Sequence, residues 1–490
     1  MIALGAEVGL IRGVRTAGPG SEFLGTEPVD LHLRDGRISD IAPVGALRAR
    51  GETLDADGAW VVPGLWDNHV HAVQWALAAE REPLDEAASA ADAAARMGRV
   101  QPVSDGRRIG AGFRDALWTD APTLEVLDAA TGAVPTYLIN ADVHSVWLNS
   151  AALAREGFRT ADGVLREDDA FEISRRLNAV DPLHADRAVA VAGARAAGRG
   201  VVGVVDFDMA WNREAWERRI GAGFAQHRVE FAIYPDGLDR AISEGLRTGD
   251  ALPGSAGLVR VGPLKIISDG SLGTRTAACG HAYDGEPENA GALNVSRDEL
   301  MSLLVRAAGN GLSAAVHAIG DRAASAALDA FTVAGATGTI EHAQLIRHAD
   351  LARFARIGVA ASVQPQHALD DRDLAELLWR SQTSAGYPLA SLLASGAQLR
   401  FGSDAPVAPL DPWRTIAAAV TRTDDGREPW HPQERVSVDQ ALAASVRTTL
   451  RPGQPADLVL CGHDPRAVDG ATLREMQVIA TVLGGRVTHR

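Results

Sequence analysis

The sequence predicts an α/β protein: a (β/α)8 TIM-type barrel with a small β-sandwich domain built from both chain termini. Three observations predict it. Short apolar runs alternate through the middle of the chain with Ala- and Arg-rich stretches of helical spacing, both ends read as strands and turns, and several middle strands finish on an ionisable residue. The 490 residues accommodate a barrel of ~250 residues or more with a smaller satellite. The expected division is a sandwich part over 1–60, a barrel over 61–450 with an excursion at about 73–206, and a second sandwich part over 451–490.

At the N-terminal end, Val29 to Arg34 places apolar side chains on alternate positions, Asp35-Gly36 reads as a hairpin turn, and Arg37 to Ile41 resumes the strand. At the other end, Asp457 to Leu460 and Val478 to Leu483 have the same character, the latter running into Gly484-Gly485 and Arg486-Val487. Between them the clearest strands are Gly200 to Asp206, Val261 to Ile267, Leu312 to His317 and Leu399 to Asp404. Helical spacing marks Asp298 to Asn310, Ala323 to Ala334 and Ala349 to Ile357. Strand-then-helix repetition implies parallel pairing, and Asp206, His317 and Asp404 fall at strand ends, where barrel chemistry sits. The segment from Val73 to Asp206 shows no clear strand periodicity before its last strand; it contains a helix candidate at Asp85 to Gly98 and is expected to cover the barrel mouth.

Composition limits the function. Lys and Arg number 48 against 63 Asp and Glu, a net charge of −15, which argues against coating nucleic acid or an anionic membrane. Cys279 and Cys461 are too few for a disulfide framework and form no thiolate zinc pair. No basic region followed by an apolar core opens the chain, and no apolar run approaches the ~20 residues of a membrane helix, so the expectation is a cytoplasmic protein.

The most informative stretch is Val61 to His71, an apolar strand followed by Pro-Gly and then Asp-x-His-x-His. Two histidines two apart on a strand face the same way and can share one cation. His317, His342 and Asp404 each close a further strand, so several strand ends offer a ligand of the type zinc accepts, with manganese or iron also compatible. Lys265 lies inside an apolar strand where an unpaired ammonium is costly. Two solutions are open: an ion pair with Asp269, or reaction of the neutral amine with carbon dioxide to give a carbamate that bridges two metal ions.

Taken together, these motifs resemble the amidohydrolase superfamily and, within it, the N-substituted formamide deformylase-like branch, amidohydrolase family three. The similarity also rests on Asn140 to Leu153, Lys265 to Ala277, Val316 to Asp321 and Gly402 to Val407, and runs over nearly the whole chain. It implies His69 and His71 as first-strand metal ligands, Lys265 as a carboxylated bridging ligand, His317 and His342 on a second metal, and Asp404 as both ligand and proton shuttle. By the same similarity His144 and Trp147 line the mouth, with packing of the excursion onto the barrel as the alternative, and Asp269 and Arg275 join the substrate-binding set. Trp66, Asn68 and Val73 to Ala76 depart from the branch pattern, implying a pocket of different shape, and the return after Ser437 to Leu450 looks shortened.

The expected function is hydrolysis of a carbon–nitrogen bond in an amide, N-formyl or cyclic amide compound by a metal-activated hydroxide. The cofactor is a divalent metal, zinc first, at two ions per chain, and the partner is a small-molecule amide-type substrate. Such barrels commonly associate, so a homo-oligomer is compatible. Two alternatives stand beside this: a mononuclear deaminase of a ring amidine with Lys265 ion-paired, and a non-catalytic barrel used as a binding module, whose usual signature is a missing ligand.

Overall fold

The computed structural model describes residues 2–380, 382 and 386–490. Eight parallel strands form the central sheet: β1 Leu65–Val70, β2 Val201–Asp206, β3 Arg228–Ile233, β4 Val259–Ile267, β5 Ala314–Ala318, β6 Gly338–His342, β7 Ala360–Val363 and β8 Leu399–Phe401, in spatial order β8 to β1. Their side chains are almost wholly buried, as strands covered by helices on one face and packed within a barrel on the other require. Closure of β8 on β1 happens at the C-terminal rim. The Asp404 amide donates to the His69 carbonyl at 2.8 Å and the His71 amide to the Ala405 carbonyl at 2.9 Å. Gly402 permits that approach, because a Cβ there would lie 2.7 Å from the His69 nitrogen.

Two of these strands, β3 and β7, were not among those picked out in the sequence, and neither ends on an ionisable residue. The helices expected after β4, β5 and β6 are present as Arg297–Gly309, Asp321–Ala334 and His348–Ile357. The first begins at Ser296, whose side chain accepts from the Glu299 amide and so caps one orphan donor of the first turn.

A second, mostly antiparallel sheet is drawn from both termini. Its order is Arg486–His489, Val478–Leu483, Leu458–Cys461, Trp60–Pro63, Val8–Thr16, Val29–Arg34 and Arg37–Pro43, with Glu52–Asp55 also on Val8–Thr16. One apolar core, including Ile11, Leu31, Leu54, Val61, Leu458 and Val482, joins the two ends. The Asp35-Gly36 hairpin forms with φ of 51° and 71°, the positive values a two-residue turn needs to match strand twist.

The segment between β1 and β2 contains a five-stranded sheet that periodicity did not reveal: Val164–Arg166, Ser145–Leu148, Thr136–Asn140, Arg108–Phe113 and Glu82–Pro83. Thr136–Asn140 and Ser145–Leu148 are buried along their whole length, so no polar alternation marks them. The helix expected from Asp85 starts later, at Ala90, where Ser89 accepts from the Asp92 amide, and runs to Arg99. Among the described residues no helix is long and apolar enough to cross a membrane.

Candidate metal centre

The C-terminal ends of the barrel strands open into a cleft of about 1110 Å³, with walls contributed by the segment between β1 and β2. His69 and His71 end β1. His69 is fully buried and its Nδ1 lies 2.7 Å from the Glu341 carboxylate on β6. That contact places the proton on Nδ1 and leaves Nε2 as a lone-pair donor facing the barrel axis, the orientation a metal-ligating histidine needs. His342, at the end of β6, is fixed in the same way: its Nδ1 lies 2.9 Å from Gln364 Oε1, which accepts the proton and leaves Nε2 free.

Asp404 follows β8 and points back among the histidines. One carboxylate oxygen lies 3.5 Å from His69 Nε2 and 3.4 Å from His71 Nε2. Ligand atoms of His69, His342 and Asp404 all fall within 4.8 Å of one another, and all three residues are buried. A buried Nδ1 on His71 without a hydrogen-bond partner among the described residues adds a further unused nitrogen at the same rim. Imidazoles with free lone pairs beside one carboxylate are a donor set that fits a divalent cation such as zinc.

The backbone is strained where these ligands sit. His342 and Asp404 adopt φ of 69° and 60°, a left-handed conformation that non-glycine residues hold at a cost of ~1–3 kcal/mol each. Surrounding hydrogen bonds, including the Asp404 amide on the His69 carbonyl, maintain it.

Electrostatics follow from burial. Desolvation, with the charge of Lys265 next, holds His69 well below the ordinary imidazole range, and desolvation with His317 does the same to His342. Burial would raise the Asp404 carboxyl, but His69, His71 and His342 together outweigh it and keep the acid strongly ionised. Both effects present neutral imidazoles and a charged carboxylate, the protonation states that bind metal.

Lys265 lies on β4 with 2% of its surface exposed. Its Nζ is 3.3 Å from His69 Nε2 and 4.3 Å from the centroid of the Phe207 ring. Burial pushes the amine down to about 8, against the opposing charges of Glu341 and Asp404. The Asp269 ion pair considered from the sequence does not form. The Asp269 carboxylate instead accepts from the amides of Ala278, Ile319 and Gly320 at 2.9, 3.1 and 2.9 Å. It is completely buried, organises the β4 and β5 loops and is not among the cleft-lining residues. His317, on β5, sits 3.2 Å from the Gly270 carbonyl and 3.4 Å from Asp269 through Nε2, which leaves its Nδ1 for other partners.

Three further assignments separate. His144 does line the cleft, held by Glu167 at 3.0 Å, with its ring 5.7 Å from that of His317. Trp147 does not: it is fully buried, donates to the Thr123 carbonyl at 3.2 Å and packs against Phe113. His144 lies in the turn just ahead of the strand Ser145–Leu148, whose four residues, Trp147 among them, are all buried. Arg275 lies half-exposed in an ion pair with Glu286 and is not among the cleft-lining residues.

Sequence reasoning missed Glu341 and Gln364, whose role appears only once β1, β6 and β7 are neighbours. Glu341 directly precedes His342, and alternation on β6 could have pointed it towards the barrel interior. His367, Arg114 and the Asp370-Asp371 pair also line the cleft but lie on segments with no readable pattern.

Comparison with known proteins agrees with this geometry. The chain is 28% identical to Protein LONG AFTER FAR-RED 3 of Arabidopsis thaliana, covering 93% of this chain and 87% of that one. It is 27% identical to N-substituted formamide deformylase of Arthrobacter pascens, covering 90% of each. A crystal structure of a metal-dependent hydrolase from Pyrococcus horikoshii superposes with a TM-score of 0.78 at 25% identity, covering 94% of this chain and 99% of the other. A model of the amidohydrolase family matches residues 52–489, nearly the whole chain. With the ligand geometry and that match together, the chain belongs to the amidohydrolase family, in the branch called family three, and is a metal-dependent hydrolase by family and fold.

Proposed function

We propose that the cleft hydrolyses a carbon–nitrogen bond outside peptides, in an amide, N-formyl or cyclic amide compound. The convergence of His69, His342 and Asp404 within 4.8 Å at the cleft floor carries this reading. A divalent cation held there supplies Lewis acidity, which lowers the pKa of water from 15.7 towards about 7. The chain supplies the rest. Asp404, ionised and adjacent to His69 and His71, accepts the proton of the attacking water and returns it to the departing nitrogen. Without that return the leaving group would be an amide anion, too basic to depart. Glu341 and Gln364 keep His69 and His342 in one tautomer throughout. His144, paired to Glu167 beside the cleft, is placed to donate to a polar group of the substrate.

Lys265, buried beside His69 without an ion-pair partner among the described residues, is proposed to carry a carbamate that joins His69, His71, His317, His342 and Asp404 in holding two ions. One observation favours a second reading. Among the described residues only His69, His342 and Asp404 approach one another closely enough to form a single ligand group, which suits one ion and a deaminase of a ring amidine. Metal analysis of Lys265→Ala separates them. Loss of metal, with activity partly restored by short carboxylic acids, supports the bridge; unchanged metal content supports the mononuclear reading. A screen of metal-loaded protein against N-formyl, N-acyl and cyclic amides, with Xaa-Pro dipeptides and ring amidines alongside, tests the bond type. Turnover confined to dipeptides or amidines would overturn the proposal. The name of the Arthrobacter relative makes N-substituted formamides the first compounds to try.

A further inference from the structure

The barrel is hollow below its metal centre. Bulky branched residues usually fill a barrel interior, but here Pro263, Ala314, Gly338 and Ala360 leave a space of about 890 Å³, open to solvent, at the end opposite the cleft. Four charged side chains line it: Glu230 on β3, Glu341 on β6, Arg400 on β8 and Arg447 from the return segment.

Three of the four are committed. Arg447 pairs with Glu230, donates to Asn68 Oδ1 at 2.8 Å and stacks 3.7 Å over the Trp66 ring. Asn68 thus lines this cavity and not the cleft, and Trp66 backs Arg447 beside it. Glu341 faces away, towards His69 and the charge of Lys265. Arg400 makes no ion pair or hydrogen bond among the described residues, although burial and the neighbouring Arg447 both disfavour its charge and Glu230 and Glu341 pull the other way. Ser362, 1% exposed on β7, lines the same space with its hydroxyl beside the Glu341 carboxylate.

Arg400 is partly exposed in this space and touches neither carboxylate at hydrogen-bond distance, so its planar fork is free to match an oxyanion bidentately. We propose that this cavity is a binding site for an oxyanion, the phosphate or carboxylate group of a small molecule, held by Arg400 with Arg447 and the Ser362 hydroxyl beside it. The site is separate from the cleft, and Glu341 forms the wall between them.

Calorimetric titration of the metal-loaded full chain with inorganic phosphate, and separately with acetate, at constant ionic strength tests this. The wild type should bind one of them saturably, one per chain, and the tighter of the two assigns the group. Arg400→Gln should weaken that binding by about tenfold or more, as loss of a charged hydrogen-bond donor does, and Arg400→Lys should fall between. Arg400 has no hydrogen bond or ion pair among the described residues to lose, so both variants should fold, which thermal unfolding checks; Arg400→Lys alone keeps the test decisive if the other does not. Anion bound at the metal centre would be indifferent to Arg400. Equal affinity in wild type and variants, or no saturable binding in the wild type, overturns the proposal.

Discussion

At the scale of single residues, the site depends on which nitrogen of each imidazole carries its proton. Glu341 sets this for His69 from 2.7 Å, with Thr339 donating to the same carboxylate. Glu341→Gln keeps the shape but removes the charge that favours Nδ1–H. Metal affinity should fall about 10–100-fold, as substitutions behind metal-bound histidines typically do, while thermal stability changes little; competition with a chromogenic chelator measures it. Affinity equal to wild type would mean that Glu341 does not orient His69. The ligand types were legible in the sequence because Asp-x-His-x-His on a strand and single strand-end residues carry their chemistry locally. Their partners were not. Glu341 and Gln364 matter only through strands distant in sequence, and Trp147 and Asp269 turn inward for reasons of packing that a motif does not encode.

Individual elements show the same division. Val29–Arg34 was readable because apolar and polar residue types alternate along it and an Asp-Gly turn follows, although only Arg34 is exposed, whereas Thr136–Asn140 and Ser145–Leu148 of the excursion sheet, also buried, carry no such alternation. His227 shows how one element shapes pH stability. It is buried just before β3, against the Phe224 ring and close to Gly193 on the helix Pro182–Ala197. Burial holds the imidazole down to about 3 from its usual 6.5. The unfolded chain therefore takes up a proton that the fold refuses. Stability from this group is complete above about pH 6.5 and falls by ~1.4 kcal/mol per unit as pH drops towards 3. His227→Gln should remove about one proton from the pH dependence of urea unfolding between pH 6.5 and 5. An unchanged dependence would show that the imidazole is protonated in the fold.

For the whole molecule, the terminal sheet and the barrel are locked together. Asp457, 2% exposed, accepts from Arg228 of β3 at 2.7 and 3.0 Å and from the Gly484 amide at 2.7 Å, and its carbonyl accepts from Gly64 just ahead of β1. Asp457→Ala leaves Arg228 unpaired at this junction. Chemical denaturation should show a loss of about 3 kcal/mol, the low end for breaking a buried pair because Arg228 is partly exposed. The transition should stay single if sheet and barrel unfold as one unit, and an early separate transition would show that they do not. Barrel and terminal sheet were both anticipated, since each repeats its own pattern; what the sequence did not show is this seam, built from side chains more than two hundred residues apart.

Elemental analysis of the purified full chain, beside a variant carrying His69→Asn and His342→Asn, bears most directly on the whole account. At least one divalent ion should co-purify with each wild-type chain and be lost from the folded double variant, along with hydrolytic activity. A metal-replete wild type that holds no ion, or a double variant that holds as much as the wild type, would contradict it.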